Sequence, residues 1–130
     1  MTDPVTGAFL AEKMAIDGSA WHLAEDDTGT LLGFQYFIPK DTLPDDACDI
    51  ATFVRLGQTG LGIGSRLFDA TTKAARALGY RWINATIRAD NESGLTYYQS
   101  RGFENWKRVK NVPLGNGQNI DRIFKRYDLD

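Results

Sequence analysis

Cysteine and histidine are almost missing from this sequence of 130 residues, which holds one of each, Cys48 and His22. A single cysteine forms no internal disulfide, and one cysteine with one histidine makes no metal-ligand cluster, so no bound metal is expected. His22, the sole histidine available as a base, lies in a predicted strand away from Cys48, which argues against a Cys–His nucleophile pair and leaves Cys48 as a small buried apolar residue. Long hydrophobic runs are also absent. Nothing approaches a membrane span, and the N-terminus lacks the basic-then-apolar order of a secretory signal, so the expectation is a cytoplasmic protein without membrane contact. Charge of one sign is lacking too. Fifteen Lys and Arg stand against 17 Asp and Glu, for a net charge of −2, which gives no electrostatic footprint for nucleic acid. The basic stretches Lys107 to Lys110 and Arg122 to Arg126 are interleaved with apolar residues at strand spacing and read as solvated strand faces.

What remains is an ordinary globular composition, 42% hydrophobic and 25% charged, in a chain that suits one domain spanning residues 1–130. No internal repeat or low-complexity linker divides it. Phe9, Lys13 and Ile16, with Leu10 and Met14 beside them, predict a helix from Thr6 to Ile16 that closes at Asp17-Gly18. Trp21 to Glu25 and Thr30 to Ile38 read as strands around the turn Asp26 to Gly29. Asp41 to Asp46 is a loop, and Asp49 to Leu56 a third strand. The stripe Ile63, Leu67, Ala70, Ala74 and Leu78 predicts a helix that Gly79 stops. Arg81 to Ile87 reads as a strand, and Asn91 caps a second helix over Glu92 to Arg101. Phe103 to Val109 and Asn119 to Asp128 are strands with a return at Asn116-Gly117. The order implies an α/β single domain with a mixed sheet, in which the strands before and after the first long helix are parallel neighbours.

Two stretches carry the chemistry. "GQTGLGIGSRLF", Gly57 to Phe68, places four glycines before a helix. A strand, a glycine-rich turn and a helix N-terminus together present unpaired backbone N–H groups and the positive end of the helix dipole, which is a site for phosphate. The spacing fits neither a Walker loop, since Ser65-Arg66 follows Gly64 with no lysine, nor a dinucleotide-binding turn, since Gly60, Gly62 and Gly64 give only G-x-G-x-G. The second stretch is "RADNESGLTYYQSRGF", Arg88 to Phe103.

"TGLGIGSRLF" followed some thirty residues later by N-x-x-G-x-x-Y-Y-x-x-R-G-F resembles the GNAT superfamily of acyl-CoA-dependent N-acetyltransferases, over nearly the whole chain. The resemblance implies a mostly antiparallel sheet flanked by helices, with acetyl-CoA as acyl donor. It assigns the pyrophosphate to the loop and helix start at Thr59, Gly60, Leu61, Gly62, Ile63, Gly64 and Ser65. The usual Arg or Gln at the head of that loop falls on Thr59, with Gln58 one place earlier. The pantetheine arm would pair like an added strand with Thr52, Phe53 and Val54, whose N–H groups would also face the thioester oxygen. Asn91 would touch the cofactor as well as cap its helix, and Gly94 would leave the cofactor room.

For catalysis, Tyr98 stands where the family places its general acid, two helical turns beyond Asn91, and a phenol of pKa about 10 suits protonation of a thiolate. Tyr97 reads as a packing aromatic. Asp49, where the phosphinothricin-type branch has an acidic residue, is the candidate base. The resemblance also implies that the family's usual first strand and helix are lacking, which would leave a sheet edge to be covered in a homodimer. Two functions follow: transfer of acetyl to the primary amine of a small molecule by direct attack, or a non-catalytic acyl-CoA-binding module. The loops Pro39 to Asp46 and Val112 to Gln118 carry no recognisable code for the acceptor.

Overall fold

The computed structural model describes residues 8–13, 17–55 and 62–129. In chain order the elements are β1 (Ala8–Lys13), β2 (Ala20–Asp26), β3 (Leu31–Ile38), β4 (Ala47–Val54), α1 (Ile63–Ala77), β5 (Trp82–Arg88), α2 (Glu92–Ser100), β6 (Glu104–Pro113) and β7 (Asn119–Asp128). The strands form one seven-stranded sheet in the order β1-β2-β3-β4-β5-β7-β6. Among the described strands only β4 and β5 run parallel, joined through α1, as the strand–helix–strand pattern predicts.

The first predicted element is corrected. Ala8–Lys13 is a strand, not part of a helix from Thr6 to Ile16, and it pairs antiparallel with β2 from Ala8↔Asp26 to Lys13↔Trp21. Phe9, Leu10 and Lys13 fit either period over so short a stretch, and the unpaired edge of β2 supplies backbone partners that an isolated helix would forgo. The sheet edge that the resemblance left beside β2 is therefore occupied by β1. The other predicted elements are present, with ends moved by at most four residues; β6 runs on to Pro113 because irregularities in its pairing, with Asn111 at φ 56°, let it continue past Val109.

Cross-strand partners share a face of the sheet, so the register sorts the side chains. Cys48, Ile50 and Thr52 of β4 face the same way as Phe37 and Gln35 of β3, and as Ile83, Ala85 and Ile87 of β5. On that face Phe37, Cys48, Ile50, Ile83, Ala85 and Ile87 form one buried cluster with Phe68 of α1, Tyr98 of α2 and Phe103. Both helices thus lie on this side. The buried row of α1 runs through Ile63, Leu67, Thr71 and Ala75, while Leu78, expected to close the stripe, is exposed. Asp49, Ala51 and Phe53 point to the opposite face with Tyr36, Phe34 and Trp21, and there Trp21 stacks on Tyr36 at 4.0 Å and Phe34 on Phe53 at 5.4 Å.

Candidate active site

The parallel ladder between β4 and β5 is short. It pairs Ala47, Cys48 and Asp49 with Trp82, Ile83 and Asn84 and carries no pair beyond. Past that point the two strands border a cleft of about 500 Å³, lined by Ile50, Ala51, Thr52 and Val54 on one side, Thr86, Ile87 and Arg88 on the other, and Asn91, Ser93, Gly94, Tyr97 and Tyr98 of the second helix and its cap. A stretch of β4 backbone with a sheet neighbour only on the β3 side faces this cleft.

Of the residues singled out in the sequence, Thr52, Val54, Asn91 and Tyr98 meet here. Phe53 does not line the cleft; its ring lies on the far face and is 45% exposed, so it offers the cleft only backbone. Asn91 is the cap expected, accepting from the Gly94 N–H at 3.0 Å. A Cβ on Gly94 would come within 2.6 Å of the Asn91 amide, so this glycine makes room first for the cap, although it also lines the cleft.

The start of α1 lies beside α2. Gly62 sits at its N-cap with φ 68°, and among the described residues no side chain caps the helix and no acidic residue stands in its first turn. Tyr97 donates to the Gly64 carbonyl at 2.7 Å, and a Cβ on Gly64 would approach the Tyr97 ring to 2.7 Å. Gly64 is thus required by close packing and Gly62 by its backbone conformation. Arg101 of the RGF stretch donates to the Ser65 hydroxyl, placing a cation at the same helix start. The Ile63 side chain is buried in the core, so it too offers only backbone. Thr59, Gly60 and Leu61 lie outside the described residues.

Tyr97 is more than the packing aromatic expected, because its hydroxyl also accepts from Gln35 Nε2 at 3.0 Å. The same Nε2 donates to Thr52 Oγ1 at 2.9 Å, and Thr52 Oγ1 lies 2.8 Å from the Tyr98 hydroxyl. Burial pushes the Tyr97 phenol up to about 12, against the Gln35 hydrogen bond, and pushes Tyr98 higher still, with Tyr97, Asp49 and Tyr36 adding to the rise. Both phenols therefore keep their protons at neutral pH. Gln35 had no signal in the sequence; its partners are 17 and 62 residues away.

Asp49 stands at the apex of the fork, on the other face and one residue before the cleft lining begins. Its Oδ1 accepts from Asn84 Nδ2 at 2.8 Å, and its Oδ2 meets Lys40 Nζ at 3.4 Å. Asn84 is buried, and its own Oδ1 accepts from Trp106 Nε1 at 2.9 Å, which fixes which end of the amide faces Asp49. Cys48 is fully buried, and burial raises its thiol to about 12, as a structural cysteine requires. Among the described residues no group of His, Cys, Asp and Glu is placed to hold a metal, and no helix is long and apolar enough to cross a membrane.

Residues 3–103 match the acetyltransferase (GNAT) family. The chain is 26% identical, over 98% of its length and 77% of the relative's, to YwnH of Bacillus subtilis (strain 168), provisionally named as a phosphinothricin acetyltransferase. It is 28% identical to the L-methionine sulfoximine/L-methionine sulfone acetyltransferase of Pseudomonas paraeruginosa (strain PA7), over 83% of this chain and 64% of that one. In fold it matches a phosphinothricin acetyltransferase from Sinorhizobium meliloti in complex with AcCoA, with a TM-score of 0.73, 23% identity, and coverage of 86% of this chain and 62% of that one.

Proposed function

Because the chain belongs to the GNAT family and is an acetyl-CoA-dependent N-acetyltransferase, we propose that it moves acetyl to the primary amine of a small molecule by direct attack, in the cytoplasm, with Tyr98 as proton donor. The observation that carries this reading is the fork between β4 and β5 with Tyr98 lining the cleft it opens. The backbone of Thr52, Phe53 and Val54 takes the pantetheine arm as an added strand and turns an N–H toward the thioester oxygen. The N–H groups at the start of α1, which no described side chain caps, take the pyrophosphate, with Arg101 beside them.

The reaction balances without a covalent enzyme intermediate, and buried Cys48 offers none. The amine nitrogen bonds to the thioester carbon as its proton passes, through water, to Asp49. The C–S bond then breaks and the sulfur takes the Tyr98 proton, which solvent in the cleft restores. A phenol raised above 10 remains matched to this task, because burial raises the proton affinity of a thiolate as well, as Cys48 illustrates.

Free-thiol release from acetyl-CoA, assayed with a panel of primary amines led by phosphinothricin and L-methionine sulfoximine, tests the reading. Amine-dependent release supports it; acetyl-CoA binding without release with any amine identifies a binding module instead. Asp49→Asn keeps the Asn84 contact in outline and is expected to lower kcat about tenfold or more, with acetyl-CoA affinity unchanged. An unchanged kcat removes Asp49 from the mechanism. The outer edge of β1 carries no sheet neighbour among the described residues, and we expect it to associate into a homodimer. Sedimentation that shows a monomer across micromolar concentrations counts against this.

A further inference from the structure

We infer that Gln35 and Thr52 are positioning residues which aim the Tyr98 proton into the cleft, an inference that rests on the proton-donor reading of Tyr98. Gln35 lies in the middle of β3, directly opposite Thr52 in β4, and is fully buried. Its amide orientation follows from its neighbours. The Tyr97 hydroxyl has one proton, and the Gly64 carbonyl, which only accepts, receives it. Tyr97 must therefore accept from Gln35, which places the amide nitrogen, not the oxygen, against both Tyr97 and Thr52.

That assignment sets the direction of the next bond. One lone pair of Thr52 Oγ1 is occupied by the Gln35 N–H, and the threonine proton is free to point at Tyr98 Oη, 2.8 Å away. When it does, no acceptor among the described residues claims the Tyr98 proton, which is left for the cleft that Tyr98 lines. As the phenol gives that proton up, charge grows on Oη, and the bond from Thr52 strengthens just when it is needed, polarised in turn by Gln35.

A second observation separates this role from packing. Gln35 Oε1 is buried with no hydrogen-bond partner among the described residues, a cost that an apolar residue of the same size would not carry. The side chain is a poor choice for a core and a good one for a donor pair.

The test measures kcat and acetyl-CoA KM for Gln35→Leu, Thr52→Val and Thr52→Ser, each alone and combined with Tyr98→Phe. Gln35→Leu and Thr52→Val are expected to lower kcat about three- to tenfold, with KM within about twofold of the parent. Thr52→Ser restores the rate. In the Tyr98→Phe background neither Gln35→Leu nor Thr52→Val costs anything further, because there is no longer a proton to aim. The same loss in both backgrounds shows a merely structural role and overturns the inference. An unchanged kcat in Gln35→Leu and Thr52→Val, with Tyr98→Phe impaired, overturns it while leaving the proton donor in place. Full activity in Tyr98→Phe removes both. Should Gln35→Leu fail to fold, the Thr52 pair decides alone.

Discussion

Tyr98→Phe is expected to lower kcat about ten- to a hundredfold while leaving acetyl-CoA affinity near that of the parent. In the proposed role the hydroxyl matters only as sulfur departs, so its removal is expected to appear in the transition state and not in the ground-state complex. The lower end of the range reflects a leaving group that is already acceptable as a thiolate. Tyr97→Phe provides the contrast. Its hydroxyl holds the Gly64 carbonyl at the start of α1, so its loss costs about 1 kcal/mol of stability and raises the acetyl-CoA KM with kcat nearly unchanged. The pH profile gives an independent check. A raised phenol pKa keeps the donor protonated, so the alkaline fall in kcat due to Tyr98 lies above the ordinary phenol range. Equal kcat losses in the two variants, or a full rate in Tyr98→Phe, return Tyr98 to the role of a core aromatic.

Gly62→Val is expected to weaken acetyl-CoA binding more than about a hundredfold, or about 3 kcal/mol, while the domain stays folded. Gly62 holds φ 68° and ψ 18°, the left-handed region that a β-branched residue avoids at a cost of about 1–2 kcal/mol. No described atom lies within 4 Å of a Cβ built there, so the valine meets no wall among the described residues. It enters instead the space over the uncapped helix start, where an anion would sit. The melting temperature should fall by only about 3–8 °C. Calorimetry that finds unchanged affinity in a folded variant shows that the pyrophosphate binds elsewhere.

The elements with their own local grammar were legible in the sequence. Asn91 and Gly102 bracket α2, Asn116 and Gly117 mark the last hairpin, and the apolar run Ile83, Ala85, Ile87 reads as a strand buried among its neighbours. β1 was not legible, because Ala8 to Lys13 suits two periods and the partner that decides between them, β2, is a separate stretch of chain. The site divides in the same way. Tyr98 and the glycines lie in two short motifs, and it is the resemblance of those motifs to the family that marks them in the sequence. The Gln35–Thr52–Tyr98 chain and the Trp106–Asn84–Asp49 chain each draw on three elements, and only the sheet register brings them together. The same register explains why Thr52 and Asp49, three residues apart on one strand, serve opposite faces.

The short ladder between β4 and β5 makes this domain two ribbons, β1–β4 and β5–β7, stapled at one end. Backbone groups that a completed sheet would satisfy internally are left to water until a molecule arrives in the gap. What would be a packing defect elsewhere is here a share of the folding free energy deferred to the ligand, so affinity and melting temperature draw on the same seam. A substitution that closed the seam is expected to stabilise the protein and, on the proposed reading, to weaken acetyl-CoA binding.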